Sequence, residues 1–208
     1  MIELYEEKEL DELEEFISQN IGEFTSVIHE LVSPDIHLDI AIVEPSEERP
    51  YCTLVTMGVG AHLMNVPEKL KHIVPDRCEL LIDIPKDWQI NSHLEKWYWV
   101  QRWLKIIGRT SIDENSWIGY GHTFGDGKAF GENTRLNAIS LIDAYDEKEH
   151  LLQCHLSTNK TIHFYQLLPL FPEELTYKIE KGNINDLIQL FDEDFSLILD
   201  IDRKNYAI

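Results

Sequence analysis

Cysteine is scarce in this chain of 208 residues. Cys52, Cys78 and Cys154 are far apart and odd in number, and two of them lie in strand-like runs. That pattern argues against a disulfide framework and for buried cytoplasmic thiols. Long apolar runs are also missing. No window of ~18 apolar residues occurs, so no membrane span is expected. The opening MIELYEEKELDELEE has neither the basic start nor the apolar middle of a signal peptide. A cytoplasmic location follows as an expectation. Basic side chains are few, 18 Lys and Arg against 38 Asp and Glu, for a net charge of -20. Basic patches with interleaved aromatics are absent, so no nucleic-acid groove is expected. Such a surface repels nucleic acid and anionic lipid, and it attracts basic proteins when it does more than confer solubility. Catalytic signatures are lacking as well: no G-x-S-x-G, H-E-x-x-H, C-x-x-C or Walker pattern occurs, and no histidine and serine spacing suggests a triad. Neither an internal repeat nor a low-complexity tract is found.

What the chain does have is acidity concentrated at its ends. Residues 1–50 hold 15 acidic and 2 basic side chains, whereas residues 51–170 hold 14 and 12. Residues 3–32 read as helix in two pieces. Leu10, Leu13, Ile17 and Ile21 form one apolar stripe, and Phe24, Ile28 and Leu31 continue it past a break near Gly22. Asn20 and Glu23 have the spacing to cap the second piece. Glu6, Glu7, Asp11, Glu12, Glu14 and Glu15 line the outer face, where like charges cost stability. That face is either solvated or meets a cationic surface.

Residues 77–109 form the centre of the plan. Cys78, Leu80, Ile82 and Ile84 alternate with Glu79, Leu81 and Asp83, the period of two of a strand with one buried face. Pro85 ends the strand. Ser92 stands three residues before Glu95, a capping box for a tryptophan-rich helix that Gly108 and Arg109 would close. Trp97, Val100, Leu104 and Ile107 make one stripe of that helix, and Trp99, Trp103 and Ile106 another. So much apolar circumference needs cover on more than one side, which predicts a central helix between a sheet and other helices. Residues 36–43 alternate Leu38, Ile40 and Ile42 against His37, Asp39 and Ala41, a strand with one wet face. Residues 51–57 are a further strand, and Gly58 and Gly60 suggest a chain reversal at a sheet edge. Residues 137–144, 151–156 and 161–168 are strand-like. Helices follow at 173–181, closed by Gly182, and at 184–191. The fold class expected is α+β: one domain over 1–208, with a mixed, mainly antiparallel sheet packed by the tryptophan helix and by N- and C-terminal helices.

Candidate chemistry is thin. His37 and Asp39 point the same way, but two ligands on one strand are weak evidence, and neither a metal site nor a cofactor is assigned. His150, His155 and His163 lack helical metal spacing. The segment 117–127 carries four glycines in nine residues and reads as a pliable partner loop. Its amides can cradle an anion, and His122 with Asp126 can do acid–base work in an enzymatic alternative. The candidate partner contacts are Asp11, Glu12 and Glu15 on the first helix, and Tyr120, His122, Phe124 and Asp126 in this loop.

Several ordered motifs carry a family resemblance: HLDIAIVEPSEERPYCTLVTMGVGAHLMNVPE, RCELLIDIPKDW, the tryptophan helix, GYGHTF, FYQLLPLFPEEL and KGNINDL. In this order, from about Ile36 to the C-terminus, they resemble the bacterial Suppressor-of-fused-like domain. The acidic helices before Ile36 are less diagnostic. The resemblance implies a mixed α+β domain with no known catalysis and no catalytic residues to carry over. The related animal domain sequesters a transcription factor by holding an extended peptide, and bacterial members look like immunity proteins or antitoxins against nuclease-type toxins. The chain is too short for the second region of the animal protein, so a two-domain clamp is not expected. Two functions are therefore carried forward. One is masking of a basic toxin. The other is capture of an extended segment at a sheet edge, which would be less sensitive to salt.

Overall fold

The computed structural model describes residues 3–30 and 36–208. Eight strands form one sheet: β1 (Phe24–Ile28), β2 (Asp39–Val43), β3 (Tyr51–Met57), β4 (Cys78–Pro85), β5 (Thr123–Phe124), β6 (Ala138–Asp143), β7 (Gln153–His155) and β8 (Thr161–Leu170). Their order is β1-β2-β3-β4-β8-β6-β5, and β7 also pairs with β8. Among the described strands, only β4 and β8 run parallel. The long β8 serves two neighbours on one side: its first residues pair with β7 and its later ones with β6. Helices α1 (Glu7–Asn20), α2 (Glu95–Asp113), α3 (Pro172–Lys181) and the single turn α4 (Asn185–Ile188) complete a single α+β domain.

Strand alternation sorts side chains onto two covered faces. Leu38, Ile40, Leu54, Leu80, Ile82 and Ile84 pack with Trp99, Val100, Trp103, Leu104 and Ile107 of α2. On the other face, Ala41, Val43, Val55, Met57, Leu81 and Phe164 pack with Leu13 and Ile17 of α1. The expectation of one wet face on the strands around Ile40 and Leu80 is thus corrected. All five residues of β2 are buried, because α1 lies across the side that alternation alone left uncovered.

Further expectations change. Residues 24–28 are strand, not a second helix. Gly22 has φ of 146°, outside the helical region, and the β-branched Val27 and Ile28 then pair with Ala41 and Ile40 of β2. Leu31 lies outside the described residues. Helix α2 begins without the Ser92 box: Leu94 precedes its first residue, and the Ser92 hydroxyl accepts from the Leu94 N–H. Gly108 does not end it. A Cβ there would lie 2.7 Å from Val59 Cγ2 and 2.8 Å from Leu38 Cδ1, so the glycine is a notch that lets the helix approach the sheet. The outer side of α2 is covered by loop residues, among them Ile118, Phe130 and Leu136, rather than by helices. Trp99 stacks on Phe130 at 4.8 Å. At the C-terminal end, Gly182 closes α3 with φ of 81°, as expected, but α4 is only four residues long.

Candidate interaction surface

The polar residues of the α1-side face do two different jobs. At one end, Glu79 is fully buried and answers the donors of the Gly58–Gly60 turn. Its carboxylate accepts from the N–H groups of Gly58 and Gly60 at 2.9 Å each, from Val59 at 3.3 Å, from the Thr56 hydroxyl at 2.5 Å and from the Tyr5 hydroxyl at 2.9 Å. Burial pushes its pKa up to about 7 against the pull of those donors. The glycines therefore do not reverse the chain at a sheet edge, since β3 lies between β2 and β4. Their amides are already occupied by a protein carboxylate.

At the other end the face opens into a groove. Its floor is Tyr51 and Thr53 of β3, Leu81 and Asp83 of β4, and Gln166 of β8. The Thr53 hydroxyl donates to Asp83 Oδ1 at 2.5 Å and Gln166 donates to Asp83 Oδ2 at 2.9 Å. Burial raises the pKa of Asp83, partly offset by Thr53 and Arg49. The Arg49 guanidinium sits over the Tyr51 ring, 4.5 Å from its centroid. Ile21, Tyr145, Leu152, Phe195 and Leu197 supply apolar walls, with Tyr145 more than half exposed. This recess, of about 450 Å³, shares Asn20, Ile21, Arg49, Asp146 and Glu147 with a neighbouring one of about 490 Å³. The second recess adds Glu23, Glu44 and Glu48 to the rim, against Arg49 and Lys148. The result is one continuous groove with an acidic mouth and an aromatic interior.

The sequence-derived contacts fall in two places. Asp11 and Glu15 are exposed on α1, and the same i, i+4 row continues to Gln19, which donates to Glu15 at 2.9 Å and lines the groove. The acidic row of the helix thus runs into the groove mouth. Glu12 is turned to structural use: it accepts from the Ser157 N–H at 2.8 Å, anchoring α1 to the β7–β8 turn. Tyr120, His122, Phe124 and Asp126 lie instead around β5, at the far end of the sheet order. That loop is tied down more than its glycines suggest. Lys178 donates to the Gly121 carbonyl and to the Thr123 hydroxyl, and Tyr120 donates to Asn185. His122 lies against the Trp117 ring at 4.2 Å, and burial and Lys178 both lower its pKa. Asp126 accepts from the Lys128 N–H at 3.0 Å. Among the described residues no hydrogen bond or ion pair joins His122 to Asp126, so the acid–base pairing is not assembled. His150, His155 and His163 engage Asp146, Thr161 and Asp143 respectively, each in a separate contact. Sequence reasoning missed the groove itself. Its signals were the two acidic turns, EPSEE and DAYDE, which are about a hundred residues apart and meet only through the sheet.

Comparison with known proteins gives a consistent answer. The model of the Suppressor of fused protein (SUFU) family matches residues 34–204. A protein of Ureaplasma parvum serovar 3 is 25% identical over 205 residues, covering 97% of this chain and 96% of its own. Among solved structures, a SUFU homologue from Neisseria gonorrhoeae superposes with a TM-score of 0.66 at 16% identity, over 98% of this chain and 97% of that one. The Sufu-Fu complex gives 0.65 at 14% identity, over 96% and 92%. Drosophila Suppressor of Fused gives 0.63 at 14% identity, and there the match covers 95% of this chain but 50% of the other.

Proposed function

This chain belongs to the Suppressor of fused family, whose fold is a protein-binding regulatory module, and from that premise we propose that it is a non-catalytic binding protein for a basic protein partner. The observation that carries the reading is the groove: an acidic mouth fed by the Asp11–Glu15 row of α1, opening onto aromatic walls. Like charges gathered there raise the potential for a cationic partner and speed its encounter. Tyr51, Tyr145 and Phe195 offer the rigid apolar anchorage that holds a partner once it arrives. The partner class we favour is a nuclease-type toxin, which needs a basic surface for nucleic acid, and the role is that of an immunity protein or antitoxin. The encounter takes place in the cytoplasm, a location that the three unpaired, buried thiols support.

A second reading rests on a different observation. The sheet ends at β1, a five-residue edge strand with exposed Thr25 and Ser26, to which an extended segment can add by backbone pairing. A shift in register between Phe24 and Ser26 interrupts that edge and makes it a poorer template than a flat strand.

The test is co-purification of the tagged protein from its native host at low and high salt, read by mass spectrometry. A near-stoichiometric basic protein that is lost at high salt, and lost from a variant carrying Asp11→Lys, Glu15→Lys and Glu147→Lys, supports the groove reading. A partner retained at high salt and by that variant transfers support to the strand edge. If nothing is captured while candidate partners are expressed, both readings fail.

A further inference from the structure

Away from the groove, three side chains converge where β1 and β2 end. Ile28 pairs with Ile40, so the antiparallel register brings the next residue, His29, opposite Asp39. Strand alternation then sends His37 to the same side as Asp39. The outcome is a carboxylate between two imidazoles: His29 Nδ1 is 2.7 Å from Asp39 Oδ2, and His37 Nε2 is 3.1 Å from Asp39 Oδ1. One ligand atom from each residue lies within 4.8 Å of the other two. The carboxylate is held in place, since Oδ1 also accepts from the Glu30 N–H at 2.9 Å. Both rings are more than half exposed, so the site is open to solvent.

We propose that His29, His37 and Asp39 form a binding site for a divalent transition-metal ion of the zinc type. A tetrahedral zinc centre with bonds of about 2.0–2.1 Å holds its donors roughly 3.3 Å apart. The two contacts to Asp39 lie within about 0.6 Å of that spacing, and since all three ligand atoms lie within 4.8 Å of one another, bringing the two imidazoles onto one ion takes a shift of at most about 1.5 Å. Two neutral imidazoles and one carboxylate bring a single negative charge toward the dication, and water completes the coordination. Imidazole nitrogen selects zinc, nickel, cobalt or copper over magnesium and calcium, which prefer all-oxygen sites. Binding exchanges two N–H···O contacts for two nitrogen lone pairs, so the ring protons move to His29 Nε2 and His37 Nδ1 and no oxidant or reductant is involved. The ion would staple edge strand β1 to β2 at the point where their pairing ends.

The test is calorimetric titration of the full-length protein with zinc chloride, together with the visible absorption of added cobalt(II). One equivalent should bind with a micromolar dissociation constant, and the melting temperature should rise with zinc concentration. His29→Ala and His37→Ala, both surface substitutions, should each weaken binding at least tenfold and abolish the cobalt spectrum of a nitrogen-ligated ion. His150→Ala, at the separate His150–Asp146 contact, should leave both unchanged. Circular dichroism of each variant separates loss of the site from loss of the fold. Equal affinity in wild type and both histidine variants would overturn the assignment, as would no saturation at tens of micromolar zinc. Calcium or magnesium competing at comparable concentration would overturn the metal class.

Discussion

Replacing Glu79 by glutamine should flatten the pH dependence of stability between about pH 5 and 8. The sign follows from linkage. Burial raises the Glu79 pKa from 4.5 to about 7 in the folded protein. Between those values the folded state keeps a proton that the unfolded state has released. The stability this group contributes is therefore fully present below the unfolded pKa and is lost as pH rises through the folded one. A separation of roughly two and a half units corresponds to about 3 kcal/mol, complete a little above pH 7. Glutamine suits the site sterically. Its oxygen can take the place of Oε1, which receives Tyr5, Gly58 and Gly60, and its amide can face the Thr56 hydroxyl, which can rotate to accept, while the Val59 N–H loses its acceptor at a cost that does not vary with pH. Urea melts of both proteins at half-unit pH steps measure the effect. The difference between them cancels other titrating groups, including His62 and His122, whose lowered pKa values act with the opposite sign. A wild-type profile running parallel to that of Glu79→Gln across this window would refute the reasoning and mean that the five donors keep the carboxylate ionised throughout.

The other predictions concern packing and charge. Glu174 is fully buried and takes a bidentate contact from Arg203, at 2.7 and 2.6 Å, besides the N–H groups of Phe171 and Tyr206. Arg203→Ala should cost about 3–5 kcal/mol, because it strands a buried carboxylate, whereas a paired apolar replacement of both residues should cost less; a double-mutant cycle in urea measures both. Gly58→Ala should prevent folding or lower the melting temperature sharply, since its Cβ would fall 2.0 Å from the His37 carbonyl oxygen at φ of 138°. Gly108→Ala should destabilise by about 1–3 kcal/mol through overpacking against Val59 and Leu38, with the helical content seen by circular dichroism retained. Asp11→Lys with Glu15→Lys should leave thermal stability within about 0.5 kcal/mol, because both side chains are exposed, and so isolate any loss of partner binding.

How far the chain could be read before folding depended on the range of the forces involved. Strands β3, β4, β6 and β8, and helices α2 and α3, were legible because their periodicity is local. Residues 24–28 were misread because a helical stripe can be drawn through Phe24 and Ile28, while the force that decides is the β2 edge waiting beside them. The wet faces assigned to β2 and β4 failed for a related reason. Alternation identifies two faces but does not say that α1, which precedes them in the chain, will cover the second. Gly108 shows the limit at a single residue: beside Arg109 it has the look of a cap, yet its role is set by Val59 and Leu38, far away in sequence. The groove is the extreme case. Glu44, Glu48, Asp146 and Glu147 belong to turns that no window of sequence contains together, and Asp83 reads as the polar position of an ordinary strand. Only the parallel pairing of β4 with β8 brings Gln166 to Asp83, and only that crossover places the β6–β7 turn opposite the β2–β3 turn. The acidity was visible from composition. Its concentration around an aromatic recess is a property of the topology, and it is on that concentration, rather than on the net charge, that the proposal of a cationic partner rests.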